Sequence, residues 1–337
     1  MKQLNIGIIG AGRIGKVHLK SITYSIPKAR VLGITDVFKD ALPALAAEYG
    51  VPKIYDSYKD MLADPEIDAV MVCSSTNTHA DISIEAAKAG KHVFCEKPVD
   101  LTPEKVKAVI DTVAECGVKL QVGFNRRFDH NFAQIRKLIN EGKIGKLELV
   151  KITSRDPEPP PAEYAAVSGG IFLDMTIHDF DMACFIAGSE VEEVYVNAAC
   201  LVDPAIGEAG DVDTAIINLK FKNGALGVID NSRRAAYGYD QRVEAFGSLG
   251  AAVAANDTPT NVTLMTADSV STDKPLYFFL ERYMQSFTKE VSQFVDAVLD
   301  NTDTPTTGTD GLNSILIALA AKKSVAEGRP VKISEIA

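Results

Sequence analysis

The chain is 337 residues long, 46% hydrophobic and 24% charged, with a formal net charge of -10. That length exceeds one ordinary core and suits two domains, and the composition is that of a folded globular protein. The acidic balance offers no basic stripe for phosphates, so nucleic acid is excluded as an expected partner, and no apolar run approaches a bilayer-spanning length.

Met1-Lys2-Gln3-Leu4-Asn5 leads straight into a strand, so no secretion signal is expected. Five cysteines (Cys73, Cys95, Cys116, Cys184, Cys200) have no CxxC spacing. Neither disulfides nor a zinc site is expected, all five read as buried thiols, and a reducing cytoplasm fits. Leu4 to Ile9 is an apolar run of the kind a parallel strand shows when buried on both faces. It enters Gly10-Ala-Gly12-Arg13-Ile14-Gly15 and then a helix from Lys16 to Tyr24. Gly10 permits the tight turn, Gly12 lets backbone approach a pyrophosphate, and Gly15 lets helix and strand pack closely. The helix N-terminus then faces the anion. A second strand, Arg30 to Thr35, ends in Asp36, about twenty residues past the last glycine. A carboxylate there accepts from the ribose 2'-OH and repels a 2'-phosphate, which favours NAD over NADP.

Alternation continues through a helix Lys39 to Tyr49, strand Ala69 to Cys73, helix Ala80 to Ala89, strand His92 to Cys95, helix Pro103 to Cys116 and strand Lys119 to Val122. This rhythm predicts a doubly wound parallel sheet over residues 1–123. Ser74 and Asn77 fall at the carboxyl end of a strand, where such sheets bind ligands; His79 reads equally as a helix-start residue or a contact. Glu96-Lys97-Pro98 follows another strand end. Pro98 biases Lys97 away from helix, and an amine beside a cationic nicotinamide has its charged form disfavoured, which suits proton transfer. The expected cofactor contacts are therefore Gly10, Gly12, Arg13, Ile14, Gly15, Asp36, Ser74, Asn77, Glu96 and Lys97.

Beyond Val122 the rhythm changes. A helix Phe128 to Gly142, a strand Leu147 to Thr153 and a helix Gly170 to Ala187 precede strand candidates Val194 to Ala199, Thr214 to Phe221, Ala225 to Ser232, Gln241 to Gly247, Ala251 to Asn256 and Val262 to Ala267. Helices Tyr283 to Asp300 and Thr309 to Glu327 close the chain. So many consecutive strands predict an α+β domain over 124–337 with a large, mostly antiparallel open sheet. One face covers the Gly170 to Ala187 helix, and the other calls for a second subunit. Asp174 and His178, four apart on that helix, share a face. With Lys97 they supply the parts for proton transfer coupled to hydride transfer, so the expected catalytic set is Lys97, Asp174 and His178. His178 with Asp174, Asp179 and Asp181 does not converge as a ligand set, and no metal is expected. Arg127, after the last strand of the first domain, is assigned to substrate or to orienting Asp174. Asp156, Tyr239 and Tyr283 are candidate hydroxyl partners, with Tyr237 competing with Tyr239. Short acids, an arginine and tyrosines, without clustered arginines, suit neutral hydroxyls better than a phosphate.

Together these residues resemble the Gfo/Idh/MocA family of NAD(P)-dependent oxidoreductases. The matching motifs are Gly10-Ala-Gly12-Arg-Ile-Gly15 with His18, the loop Ser75 to His79, Glu96-Lys97-Pro98, and Gly170 through Asp174 to His178. Ser154 to Pro157, Asn231 to Arg242 and Glu281-Arg282-Tyr283 are similar to the inositol dehydrogenase branch. The resemblance implies an N-terminal Rossmann domain, a C-terminal domain for substrate and assembly, and a homotetramer. It also implies a small cyclic polyol as substrate, myo-inositol first, with scyllo-inositol or a pyranose sugar as alternatives within the family. From other classes, an NAD-dependent glycosidase and a non-catalytic NAD sensor compete.

Overall fold

The computed structural model describes residues 3–161, 164–165 and 168–336; Met1 and Lys2, at the expected strand entry, lie outside them. The elements of the first half are β1 (Leu4–Ile9), α1 (Arg13–Ser25), β2 (Ala29–Thr35), α2 (Leu42–Tyr49), β3 (Lys53–Ile54), α3 (Tyr58–Ala63), β4 (Ala69–Val72), α4 (Thr76–Lys88), β5 (His92–Glu96), α5 (Pro103–Cys116) and β6 (Leu120–Gly123). Six parallel strands form one sheet in the order β3-β2-β1-β4-β5-β6. The order reverses beside β1, which creates the crevice where open α/β sheets bind ligands. The short β3 and α3 carry too few residues for a periodic signal and were not anticipated.

After Phe128 come α6 (His130–Asn140), β7 (Leu147–Arg155), α7 (Ile171–Asp174), α8 (Ile177–Ala187), β8 (Val191–Ala199), α9 (Pro204–Glu208), β9 (Thr214–Phe221), β10 (Leu226–Ser232), β11 (Asp240–Gly247), β12 (Gly250–Ala254), β13 (Thr263–Met265), β14 (Val270–Thr272) and α10 (Phe279–Arg282). The chain ends with α11 (Met284–Leu299), α12 (Gly308–Glu327) and β15 (Val331–Lys332). A second sheet runs β12-β11-β7-β10-β9-β8-β15. All its pairings are antiparallel except β7 with β10, which run parallel from Leu149↔Leu226 to Arg155↔Ser232. Residues of β9 alternate strictly between buried and exposed or half-exposed, the period-2 pattern of a sheet with one packed face.

Two expectations about these elements are corrected. Val262 to Ala267 does not join the large sheet: β13 pairs only with β14, in a separate two-stranded hairpin whose residues are all exposed. Apolar alternation there reflects no buried face. The Gly170 to Ala187 helix is broken at Met175 and Thr176, because Thr176 N bonds back to Ile171 O and the buried Thr176 hydroxyl donates to Asn231 Oδ1 at 2.7 Å.

The residues up to Phe128 form one compact unit with Gln285–Ile315, and Asp129–Met284 forms the other with Leu316 onward. Each unit thus takes in a segment from the last third of the chain. The physical reason is the apolar stripe of α11: Val291, Phe294 and Val295 are fully buried in one cluster with Leu4, Ile6, Ile8, Ile34 and Phe94. Phe94 and Phe294 meet edge to face at 5.8 Å between centroids, a favoured aromatic geometry. Phe294→Ala is expected to lower the unfolding free energy by about 3–5 kcal/mol, read from urea titrations; an unchanged midpoint would contradict this placement of α11.

Candidate active site

In the first unit the glycine turn is set by backbone contact. Gly10 has φ +98°, and a Cβ there would stand 2.5 Å from the Cys73 carbonyl oxygen. A Cβ at Gly15 would lie 2.0 Å from the Gly10 carbonyl oxygen, so neither position tolerates a side chain. At Gly12 a Cβ would meet nothing within 4 Å. The backbone at Gly12 thus borders open space, which leaves room for a pyrophosphate to approach it. Gly12 caps α1 without a side-chain hydrogen bond, and no acidic residue occupies the first turn, so its N–H groups face that space together with exposed Arg13 and half-buried Ile14.

Asp36 follows β2. Its Oδ2 accepts from Ala11 N at 2.6 Å and its Oδ1 from Phe38 N at 2.8 Å, so this carboxylate also braces the glycine turn. Lys39, the nearest cation along the chain, pairs with Asp56 at 3.0 Å. The set fits NAD: a bare-backbone cradle, an uncapped helix start and a carboxylate in place of a phosphate-binding arginine.

Ser74 Oγ lies 2.7 Å from Thr78 Oγ1, and exposed Asn77 is in the first turn of α4. His79 is buried; its Nδ1 is 2.8 Å from Pro98 O and its Nε2 is 2.9 Å from Ser74 O. The imidazole therefore ties the Ser74 loop to the Glu96-Lys97-Pro98 turn. Glu96 is buried at the end of β5, with Oε1 2.6 Å from His18 Nε2. Lys97 is half-buried next to it. Arg127 donates through Nη2 to Asp310 at 2.8 Å.

Of the cysteines, all are free. Burial pushes the Cys95 thiol up to about 12 and Cys73 well above its ordinary value, with nearby Glu96 adding to both; these two are inert core thiols. Cys116 is exposed and Cys184 and Cys200 are half-exposed, against the expectation that all five are buried. Cys116 is the last residue of α5 and Cys200 directly follows β8, whereas Cys184 lies in the last turn of α8 between buried Ala183 and half-buried Phe185.

In the second unit, Asp174 ends α7 and His178 is the second residue of α8. From Ile171 to Ala183 they are the two side chains that are not buried. The broken helix therefore presents a carboxylate and an imidazole from an otherwise enclosed segment. Asp174 accepts from Arg233 Nη1 at 3.1 Å and from Tyr164 OH at 3.0 Å. Arg233 is only 3% exposed, and its Nη1 is also 3.7 Å from Asp156 Oδ2. Parallel pairing explains the grouping: β7 and β10 end side by side, Asp156 N donates to Ser232 O at 3.0 Å, and Arg233 is the next residue. Asp174 thus has Arg233 as its guanidinium partner. Neither Arg233 nor Tyr164 was singled out for a role from sequence, since the parallel β7–β10 pair that brings Arg233 to Asp156 leaves no local signature.

Asp179 accepts from Asn231 Nδ2 at 2.9 Å. Tyr239 is 5% exposed and meets Phe278 and Tyr283 edge to face. Tyr283 is buried, and its hydroxyl is 3.4 Å from Gln241 Oε1. Tyr237 is 42% exposed, and its hydroxyl donates to Asp240 Oδ2 at 2.6 Å.

A family model described as the oxidoreductase family with an NAD-binding Rossmann fold matches residues 4–124, and one for the GFO/IDH/MocA C-terminal domain matches residues 132–253. The chain belongs to the Gfo/Idh/MocA family and is an NAD-binding oxidoreductase. It is 50% identical to a myo-inositol 2-dehydrogenase of Thermotoga maritima, covering 99% of both chains. It is 46% identical to an inositol 2-dehydrogenase of Rhizobium meliloti, covering 98% of this chain and 99% of that one. Among solved structures, a scyllo-inositol dehydrogenase of Lactobacillus casei with bound NAD(H) and scyllo-inositol superposes with a TM-score of 0.93 at 32% identity, over 99% of this chain and 100% of that one.

Breaking a buried pair by removing one partner typically costs about 3–5 kcal/mol. Arg233→Met is expected to approach that loss in chemical denaturation, and the Asp174→Asn/Arg233→Met double variant to lose less than the sum of the single ones. Additive losses would show that the two side chains do not interact.

Proposed function

We propose that the protein oxidises a secondary hydroxyl of a cyclic polyol with NAD, converting myo-inositol first of all to the 2-keto inositol (scyllo-inosose). The observation that carries this reading is the pair Asp174 and His178, presented from an otherwise buried segment of a chain whose other unit holds a dinucleotide turn. The full-length likeness to relatives named as inositol dehydrogenases supports the substrate class.

NAD, when bound, supplies the hydride acceptor. His178 accepts the proton of the reacting hydroxyl. Lys97 hydrogen-bonds the same oxygen and stabilises negative charge as it develops there. Asp174, held by Arg233 and Tyr164, orients the imidazole and grips a neighbouring hydroxyl. Asp156 and Arg127 serve further hydroxyls. Tyr239 and Tyr283, being buried, act from the wall, by shape and through Gln241. No phosphate-binding arginine cluster is needed, in keeping with an unphosphorylated ring.

The proposed enzyme works in polyol catabolism in the cytoplasm; among the described residues no helix is long and apolar enough to cross a membrane. It assembles as a homotetramer. Support comes from the outward residues of the large sheet, where Ile216, Leu226, Phe246 and Val253 are 43–66% exposed, an apolar face of the kind subunits cover.

Lys97→Ala and His178→Ala are each expected to cut kcat by about 10²- to 10⁴-fold, the usual size of an acid–base contribution, with little change in NAD affinity. Across myo-inositol, scyllo-inositol, glucose and a sugar phosphate, kcat/KM should be highest for myo-inositol. Full activity in either variant would remove that residue from the mechanism, and dominance of the sugar phosphate would overturn the substrate class.

A further inference from the structure

The core of the first unit encloses three ionisable side chains together. His18 of α1 and Glu290 of α11 are 0% exposed, and Glu96 at the end of β5 is 7% exposed. One nitrogen or oxygen atom of each lies within 4.8 Å of the other two. The space is closed on the β6 side, where a Cβ at Gly123 would meet Glu96 Oε2 at 2.9 Å. Gln121 Nε2 donates to the Glu290 backbone carbonyl at 2.9 Å. Among the described residues, neither carboxyl oxygen of Glu290 has a hydrogen-bond partner, and the same holds for His18 Nδ1.

A buried, unpartnered carboxylate beside a second carboxylate is too costly to keep charged, and such a group takes up a proton. A divalent cation would relieve the same conflict. However, His18 Nε2 and Glu96 Oε1 are 2.6 Å apart, the separation of a short hydrogen bond with a proton between them rather than of two ligands spread around an ion.

We propose that Glu290 is a positioning residue: as a neutral carboxylic acid it leaves Glu96 to pair with His18, and so fixes the Glu96-Lys97-Pro98 turn that carries Lys97. The proposal rests on the reading of Lys97 as a catalytic group. The titratable groups facing Glu290 are His18 from α1, Glu96 from β5 and Cys73 after β4. Burial first, and then the Glu96 charge, hold the Glu290 carboxyl well above the ordinary glutamate range.

The native protein thus retains a proton that the unfolded chain releases above pH 4.5. With more protons bound in the native state, stability falls as pH rises through the window between 4.5 and the raised native value. Glutamine matches the shape of the neutral acid and has no such proton to lose.

The test compares full-length wild type with Glu290→Gln and Glu290→Ala. The melting temperature of Glu290→Gln relative to wild type should rise between about pH 5 and about pH 8. Infrared spectra of the wild type near the upper pH should contain a protonated carboxyl stretch that Glu290→Gln lacks. Glu290→Ala should lose about 10- to 100-fold in kcat through displacement of Lys97, with NAD affinity unchanged, and glutamine should restore most of the rate. A pH-independent melting difference, no protonated band, a Gln variant as slow as Ala, or a stoichiometric bound metal that Glu290→Gln releases would each overturn the proposal. The spectroscopic and melting results need only wild type and the Gln variant, so they stand if Glu290→Ala does not fold. A fully active Lys97→Ala would remove the reading of Lys97 while leaving those two results intact.

Discussion

The contact that the cofactor side of the molecule depends on is the approach of α1 to β1 through two glycines. A side chain at Gly15 would stand 2.0 Å from the Gly10 carbonyl oxygen. Only bare backbone lets the helix start so close to the strand end, and that closeness aims the first-turn N–H groups at the crevice mouth. Asp36 then fixes the turn from the neighbouring strand by accepting from Ala11 N. The carboxylate read from sequence as the ribose partner is therefore also a brace of the loop. On that reading, replacing Asp36 would disturb the shape of the turn together with the choice between NAD and NADP.

The second unit solves a different problem: it must hold charged groups at the edge of an apolar layer. Parallel pairing of β7 with β10 brings Asp156 and Arg233 together, and Arg233 also meets Asp174. A guanidinium that is 3% exposed lies between the two carboxylates and holds Asp174 in place by a charge-assisted hydrogen bond. The break at Met175 and Thr176 serves the same end. Thr176 is drawn inward to Asn231, and Asp174 and His178 are left as the accessible side chains of the segment.

Much of this was legible in the sequence, and the rest was not, for identifiable reasons. The parallel sheet and the glycine turn were readable because strand burial and backbone closeness leave local marks: apolar runs of four to six residues, and glycines at fixed spacing. Asp174 and His178 are singled out by an i, i+4 argument that assumes an unbroken helix; the break depends on Asn231, fifty-five positions from Thr176, and nothing local announces it. Val262 to Ala267 has strand chemistry without a buried face. Arg233 becomes conspicuous only once β7 and β10 are known to run parallel. The return of α11 to the first unit is likewise a matter of where its stripe finds apolar partners, and Glu290 on that helix gains meaning only beside Glu96 and His18.

The central claim is that hydrogen leaves the carbon of a polyol hydroxyl and is carried away by NAD while the protein handles the proton. It is tested most directly with myo-inositol deuterated at the reacting carbon. The account predicts NADH that carries the deuterium on its nicotinamide ring, in one-to-one ratio with keto-inositol, together with a slower turnover than the unlabelled substrate when hydride transfer limits the rate. Product formed without deuterated NADH, or deuterium lost to solvent, would contradict it.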